Sequence, residues 1–261
     1  LYARTNNPRD VTGDGYALAY RAGAVFQDME FVQFYPLMSL APMSNLFLST
    51  GLFREGAVLR NAAGERFMLQ REPEHGEFTT RDRLSRGIFL EVYEGRGIDG
   101  GVAFDLSKVP PHTQEYMYLR LMKVFAAKQI NPQEQSVLVC PSVHFFMGGV
   151  RIDTEGRTSL AGLYAAGEVC GGVHGANRLA GFALMETQVF GACAGRQAAI
   201  EALDRGVAKH ADKEADAALQ HLGSAGPGPV KSAPLARAES RVRQVMWDNV
   251  GIVRNAESLG V

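Results

Sequence analysis

Apolar residues along this chain recur at two spacings, a step of two and a step of three to four, and glycine or proline marks most of the switches between them. VTGDGYALAYRAGA has the longer step. Thr12 or Asp14 can cap a helix running to about Ala24, with Ala17, Leu18 and Ala22 on a thin apolar face. MEFVQFYP (29–36) steps by two, as a strand does. Phe31 and Gln33 face one way, Val32 and Phe34 the other, and Pro36 is expected to end it. NAAGERFM, Asn61 to Met68, reads as a structural, hairpin-like turn. FTTRDRLSRGIFLEVYEGRG predicts a helix from Thr80 or Asp82, buried through Leu84, Ile88, Phe89 and Val92 and closed by Gly95 and Gly97.

After Gly101, VAFDL is a strand and SKVPPHT a turn. A helix is expected from about Gln114 to Ala127, with Tyr118, Leu121, Met122 and Phe125 on one side. SVLVCPSVHFFMGGVRID returns as strand, loop and strand, and Asp153 to Thr158 turns back as a hairpin. Leu163 to Ala166 is a short apolar strand, with a turn at Gly167 and Glu168. A glycine-rich loop holding His174, Asn177 and Arg178 follows, then a long helix from near Phe182 to about Leu203. Its inward face is assigned to Ala183, Val189, Ala192 and Ala199. Residues 205–234, rich in Gly, Ala, Pro and Ser, read as a flexible linker. The last segment, from Leu235, is an amphipathic helix with Val242, Val245, Met246 and Val250 as its stripe and Trp247 in a packing role.

Composition narrows the class. The 261 residues are enough for one or two domains, and 46% hydrophobic content with 29 glycines fits a globular α/β protein. A net charge of −1 without a long run of one sign argues against a nucleic-acid footprint. No apolar run reaches the roughly 18–20 residues that span a bilayer, so no transmembrane segment is expected. Cys140, Cys170 and Cys193 are widely spaced, so a metal site or disulfide framework is not expected. Three reduced core thiols fit a cytoplasmic location.

The residues themselves offer one concentrated site. Glycines between Gly167 and Gly181 let a ligand approach the backbone, the following helix presents unpaired N–H groups, and Arg178 offers a planar fork. Together they suit a polarised or anionic group. Elsewhere the residue types leave two readings open. His144 is either a satisfied core residue or a ligand-binding one. Ser49 and Thr50 are turn hydroxyls or carboxylate donors. Arg83 and Arg86 read as a solvated first turn, and His75 and His112 as solvated loop residues.

Several motifs carry a family resemblance. They are GLYAAGE at Gly162, HGANRL at His174, VFG in the long helix, TGDG at Thr12, TTRD at Thr79 and H-x-x-M-G-G at His144. Through them the chain resembles the flavoprotein subunits of fumarate reductase and succinate dehydrogenase and their relative L-aspartate oxidase. The resemblance implies an α/β (α+β) fold: part of a two-dinucleotide-binding-type FAD domain with an inserted α+β capping domain and the start of a helical C-terminal domain. Residues 1–35 and 144–205 would belong to the FAD domain, 36–143 to the capping domain, 206–234 to a linker and 235–261 to the helical domain. FAD would be held by Thr12, Gly13, Gly15, Glu168, Arg178, Ala183 and Leu184. A small carboxylate substrate would meet Tyr35, Ser49, Thr50, His144 and Arg178.

Arg81, His144 and Arg178 would be the catalytic set, with Arg81 delivering a proton. Arginine is a poor acid in water, so that role needs a dry site and a carbanion-like acceptor. The respiratory members alone imply an iron–sulfur electron-transfer partner, with a location at the inner face of a membrane. The resemblance covers the middle of the family's length and lacks the G-x-G-x-x-G unit that cradles the FAD pyrophosphate. FAD is therefore expected in the full-length parent and only weakly or not at all on this piece. Tyr35 stands where members acting on fumarate or succinate usually carry histidine. The same chemistry on a different carboxylate, L-aspartate oxidation and a non-catalytic capping module stay open as alternatives.

Overall fold

The computed structural model describes residues 1–8, 10–42, 46–113, 119–206, 220 and 233–260. Its elements are α1 Asp14–Arg21, β1 Phe26–Gln27, β2 Val32–Ser39, β3 Val58–Arg60, α2 Met68–Arg71, α3 Arg81–Tyr93 and β4 Val102–Asp105. Then come α4 Leu119–Ala127, β5 Val137–Phe146, β6 Gly149–Arg151, β7 Cys170–Gly171, α5 Phe182–Arg205, α6 Ala233–Asn249 and α7 Ala256–Leu259. The expected start of α4 at Gln114 and most of the expected linker lie outside the described residues. Within that linker span Ala233 and Pro234 already belong to α6. Among the described residues no helix is long and apolar enough to cross a membrane.

The chain divides into two compact units. The first holds Leu1, 13–31 and 146–245; the second holds 2–12, 32–145 and 246–261. The sheet of the first unit is ordered β1–β6–β7, with β1 antiparallel and β7 parallel to β6. Close backbone approach at its centre explains the Gly148-Gly149 pair. A Cβ on Gly148 would stand 2.1 Å from the Asp28 carbonyl oxygen, and one on Gly149 would stand 2.2 Å from that of Val169. Either contact is with backbone, which cannot swing aside. Three expectations in this unit are corrected. α1 is capped by Gly13 in a left-handed conformation (φ 83°), not by a Thr12 or Asp14 side chain, and it buries Ala19 while Ala17, Leu18 and Ala22 stay exposed. The strand near the glycine-rich loop is Cys170–Gly171, and of Leu163–Ala166 only Tyr164 forms an isolated bridge, to Arg157. α5 turns Glu186 and Ala194 inward, and Val189 is exposed.

The second unit is built on the order β2–β5–β4–β3, antiparallel between β3 and β4 and between β4 and β5. β2 lies at one edge of this sheet and continues to Ser39, beyond the stop expected at Pro36. A residue with no N–H to give a ladder is tolerated at an edge. Its predicted alternation is also overturned, because every residue from Gln33 to Ser39 is buried. Leu37, Leu59, Leu84, Ile88, Phe104 and Phe125 lie in one core that also takes in Phe53, whose ring meets Phe104 edge-on at 5.5 Å. α3 packs through Leu84, Ile88 and Glu91, with Thr80 as its N-cap. The final amphipathic helix stops at Asn249, short of its predicted length, and Val242 and Val245 are exposed. Trp247 packs as expected, edge-on to Phe34 at 6.0 Å with the Arg4 guanidinium 5.4 Å from its ring centroid.

One buried charge ties the Asn61 turn to α3. The Asn61 side chain accepts from the amides of Ala63 and Glu65, and its amide nitrogen donates to Glu65 and to Glu91, each of these two at 2.9 Å. Glu91, whose side chain is 1% exposed, also pairs with Arg71 and Arg96, each at 2.7 Å. Burial pushes its pKa up, but the hydrogen bonds from Arg96, Asn61 and Arg71 outweigh that and hold it down at about 2. A depressed carboxylate stabilises the fold above its ordinary pKa of 4.5 and ceases to do so as pH falls towards 2. Glu91→Gln is expected to lower unfolding stability by about 2–3 kcal/mol at pH 7 and to flatten the acid limb between about pH 5 and 2. Urea melts of both proteins across that range test this; parallel acid limbs would contradict it.

Candidate functional site

In the second unit, predicted site residues converge on the ring of Tyr35, which is 1% exposed. Its hydroxyl donates to the Leu48 carbonyl at 2.8 Å and accepts from the Thr50 amide at 3.3 Å. Strand β2 is thereby fastened to the 3₁₀ turn Thr50–Glu55, which Ser49 caps by accepting from the Gly51 amide at 3.1 Å. The Phe47 ring stacks on Tyr35 with centroids 4.0 Å apart and planes at 22°. The Arg81 guanidinium lies 4.9 Å from the Tyr35 centroid. A ring at stacking distance already fills one face, so the cation takes the other. His144, on β5, lies 5.3 Å from Tyr35 and 6.1 Å from Phe47 between ring centroids. The Asn6 side chain reaches its Nδ1 at 2.9 Å, which fixes the imidazole's orientation.

Arg81 and His144, far apart in sequence, thus share one aromatic support. Among the described residues no carboxylate forms an ion pair with Arg81, whereas Arg66, Arg71, Arg83 and Arg96 each have one. An arginine on an aromatic face with no internal counter-ion suits an anionic ligand. Ser49 and Thr50 are half-buried in the turn that the Tyr35 hydroxyl holds. Tyr35 spends its hydroxyl on backbone, so its part is to support the site.

The first unit holds Arg178, 6% exposed, with Nη1 3.4 Å from the Leu179 carbonyl oxygen. Glu168 accepts from the Phe146 amide at 3.0 Å, and burial raises its pKa more than that bond and the charge of Arg178 lower it. Tyr16 donates towards the backbone oxygens of Gly148 and Glu168, both at 3.0 Å, and burial pushes its pKa up. His174 and Glu186 form a buried pair, Nε2 to Oε2 2.8 Å. Burial, then Glu186, raise the Cys170 thiol to about 12, so it is an unreactive core thiol.

The features expected to receive FAD fit a flat group with anionic or polar ends. Gly181 caps α5 with φ 85° and supplies no side-chain acceptor, so the first-turn amides at Ala183 and Leu184 have none from it. Leu184 is 75% exposed. A surface groove of about 600 Å³ runs along α1, lined by Gly13, Tyr16, Ala17, Tyr20, Phe26 and others, mostly apolar. Thr12 and Gly15 are exposed, and a Cβ on Gly15 would crowd Val169 at 2.9 Å.

Sequence reasoning missed Phe47, Asn6 and Glu186. Phe47 and Asn6 sit in stretches with no periodicity to single them out. Glu186 does leave a trace, as the one acid in the otherwise apolar or neutral run FALMETQVFGACAG.

Comparison with known proteins gives the family. Residues 1–184 match the family model described as an FAD binding domain. The fumarate reductase (CoM/CoB) of Methanothermobacter marburgensis has a chain that is 40% identical over 266 aligned residues, covering 99% of this chain and 47% of that protein. An L-aspartate oxidase of Caulobacter vibrioides is 38% identical, covering 99% and 47%. The FrdA chain of E. coli quinol fumarate reductase superposes with a TM-score of 0.83 at 30% identity, covering 99% of this chain and 47% of that one. The chain therefore spans about half the length of the curated relatives it matches.

Tyr35→Phe removes the hydroxyl that serves Leu48 and Thr50 in a buried setting. It is expected to cost about 1–3 kcal/mol in urea unfolding. A loss below about 0.5 kcal/mol would show that the hydroxyl does not clamp the turn.

Proposed function

This chain belongs to the FAD binding domain family, and we propose that it forms the carboxylate-handling part of an FAD-dependent oxidoreductase of the fumarate reductase and succinate dehydrogenase type. The observation that carries the reading is the pairing of Arg81 and His144 around Tyr35, with Arg81 lacking a carboxylate partner among the described residues. FAD, when bound, supplies or accepts the hydride exchanged with a C–C/C=C bond next to a carboxylate. Arg81 gives the proton to the adjacent carbon in reduction and takes it back in oxidation. Its aromatic support and shortage of counter-ions favour a dry, anion-seeking guanidinium. His144, oriented by Asn6, donates a hydrogen bond to the substrate carboxylate. Ser49 and Thr50 offer further donors at the other end.

In the first unit Arg178 grips a substrate carboxylate and polarises it, and Glu168 accepts from a ribityl hydroxyl of FAD. Backbone amides at Ala183 and Leu184, together with Thr12, Gly13 and Gly15, complete the cofactor contacts. Electrons would enter or leave through an iron–sulfur partner chain, with the protein peripheral at the inner face of a membrane.

The test uses the full-length flavoprotein with reduced viologen and fumarate, and with succinate and L-aspartate in the oxidising direction. Fumarate reduction is expected, with Arg81→Gln lowering kcat by at least about 100-fold and His144→Ala acting mainly on KM. Retention of kcat in Arg81→Gln would overturn the proton-delivery role, and turnover of L-aspartate alone would move the protein to the oxidase class.

A further inference from the structure

The glycine-rich loop from Gly171 to Gly181 is exposed at Gly172, at 175–177 and at 179–181. Its side chains go inward at His174 and Arg178. The His174 and Glu186 side chains are 7% and 2% exposed, and their contact joins the middle of the loop to the start of α5. Glu186 Oε1 is buried with no hydrogen-bond partner among the described residues, and the other carboxylate oxygen bonds to His174. A carboxylate taken out of water costs several kcal/mol unless it is paired. That cost makes this contact hard to break, and it holds the loop four residues before Arg178.

Several titratable groups surround it. Glu168 follows the turn at Gly167, Cys170 lies on β7, Tyr16 reaches over from α1, and Arg178 lies in the loop itself. Glu186 acts electrostatically on Tyr16, Glu168 and Cys170, and Arg178 acts on Glu168.

We propose that Glu186, acting through His174, is the positioning residue for Arg178: the buried pair fixes the loop so that the guanidinium is held ready for an anionic ligand before one arrives. The inference rests on the reading of Arg178 as a carboxylate grip, but its mechanical part stands separately. Preorganisation of this kind lowers the cost of ligand binding.

Two measurements test it. In this chain, hydrogen exchange over 174–181 and the Arg178 Nε–H resonance are followed in wild type, Glu186→Ala, His174→Ala and His174→Gln. Gln keeps an N–H that can donate to Glu186. Both Ala variants are expected to speed loop exchange at least tenfold and to broaden the Arg178 signal, with the amides of Val150 and Cys170 unchanged. His174→Gln is expected to restore both to near wild type. In the full-length flavoprotein, the Ala variants are expected to raise carboxylate KM at least tenfold, with any fall in kcat accompanying that rise. Unchanged loop exchange, exchange that rises equally at Val150 and Cys170, or a loss confined to kcat would each overturn the proposal. If no carboxylate turns over, the functional reading fails, and the exchange and resonance data alone decide the positioning role.

Discussion

The hydroxyl of Tyr35 is the constraint on which the second unit's site depends. It has one donor to give and gives it to Leu48, whose carbonyl is buried; it also receives the Thr50 amide. The hydroxyl fixes the far end of the ring, and Phe47 stacked on its face at 4.0 Å keeps the ring from turning. Both of its faces then become fixed surfaces, one taken by Phe47 and the other by the Arg81 guanidinium. An arginine in water has many rotamers, and ordering them costs about 2 kcal/mol. The aromatic face offsets part of that cost before any ligand binds. His144 gains a similar advantage from Asn6. Sequence positions 6, 35, 81 and 144 become one arrangement because β2 and β5 are neighbours in one sheet.

The first unit solves a different problem. Its loop is glycine-rich, and such a loop is entropically costly to order. Two inward side chains meet that cost, and the His174–Glu186 pair is the tighter of the described contacts. The Gly148-Gly149 pair plays the matching part in the sheet, where two carbonyls press so close that any side chain would break the packing.

Much of this is legible in the sequence and some is not, for identifiable reasons. α3 is readable because Leu84 and Ile88 repeat at helical spacing and glycines follow. α5 is readable as a helix but not by face, since small apolar residues surround it on all sides and leave no stripe to follow. β2 misleads because alternation implies one wet face, and this strand is buried on both from Gln33 onward. Pro36 looks like a terminator because an edge position cannot be known before the sheet order is. Arg81, His144 and Arg178 stand out by motif resemblance, not by periodicity. The supports of the Tyr35 site, its hydroxyl clamp, Phe47 and Asn6, arise from contacts between distant segments that no local pattern encodes.

The central claim of the proposal is that Arg81 and His144, both packed against Tyr35, serve one carboxylate. The most direct measurement is a titration of this chain with fumarate, following the Arg81 Nε–H and the His144 ring nitrogens by ¹⁵N NMR. The account predicts that both residues respond along a single saturation curve with one Kd. Separate curves, or a response at one residue only, would contradict it.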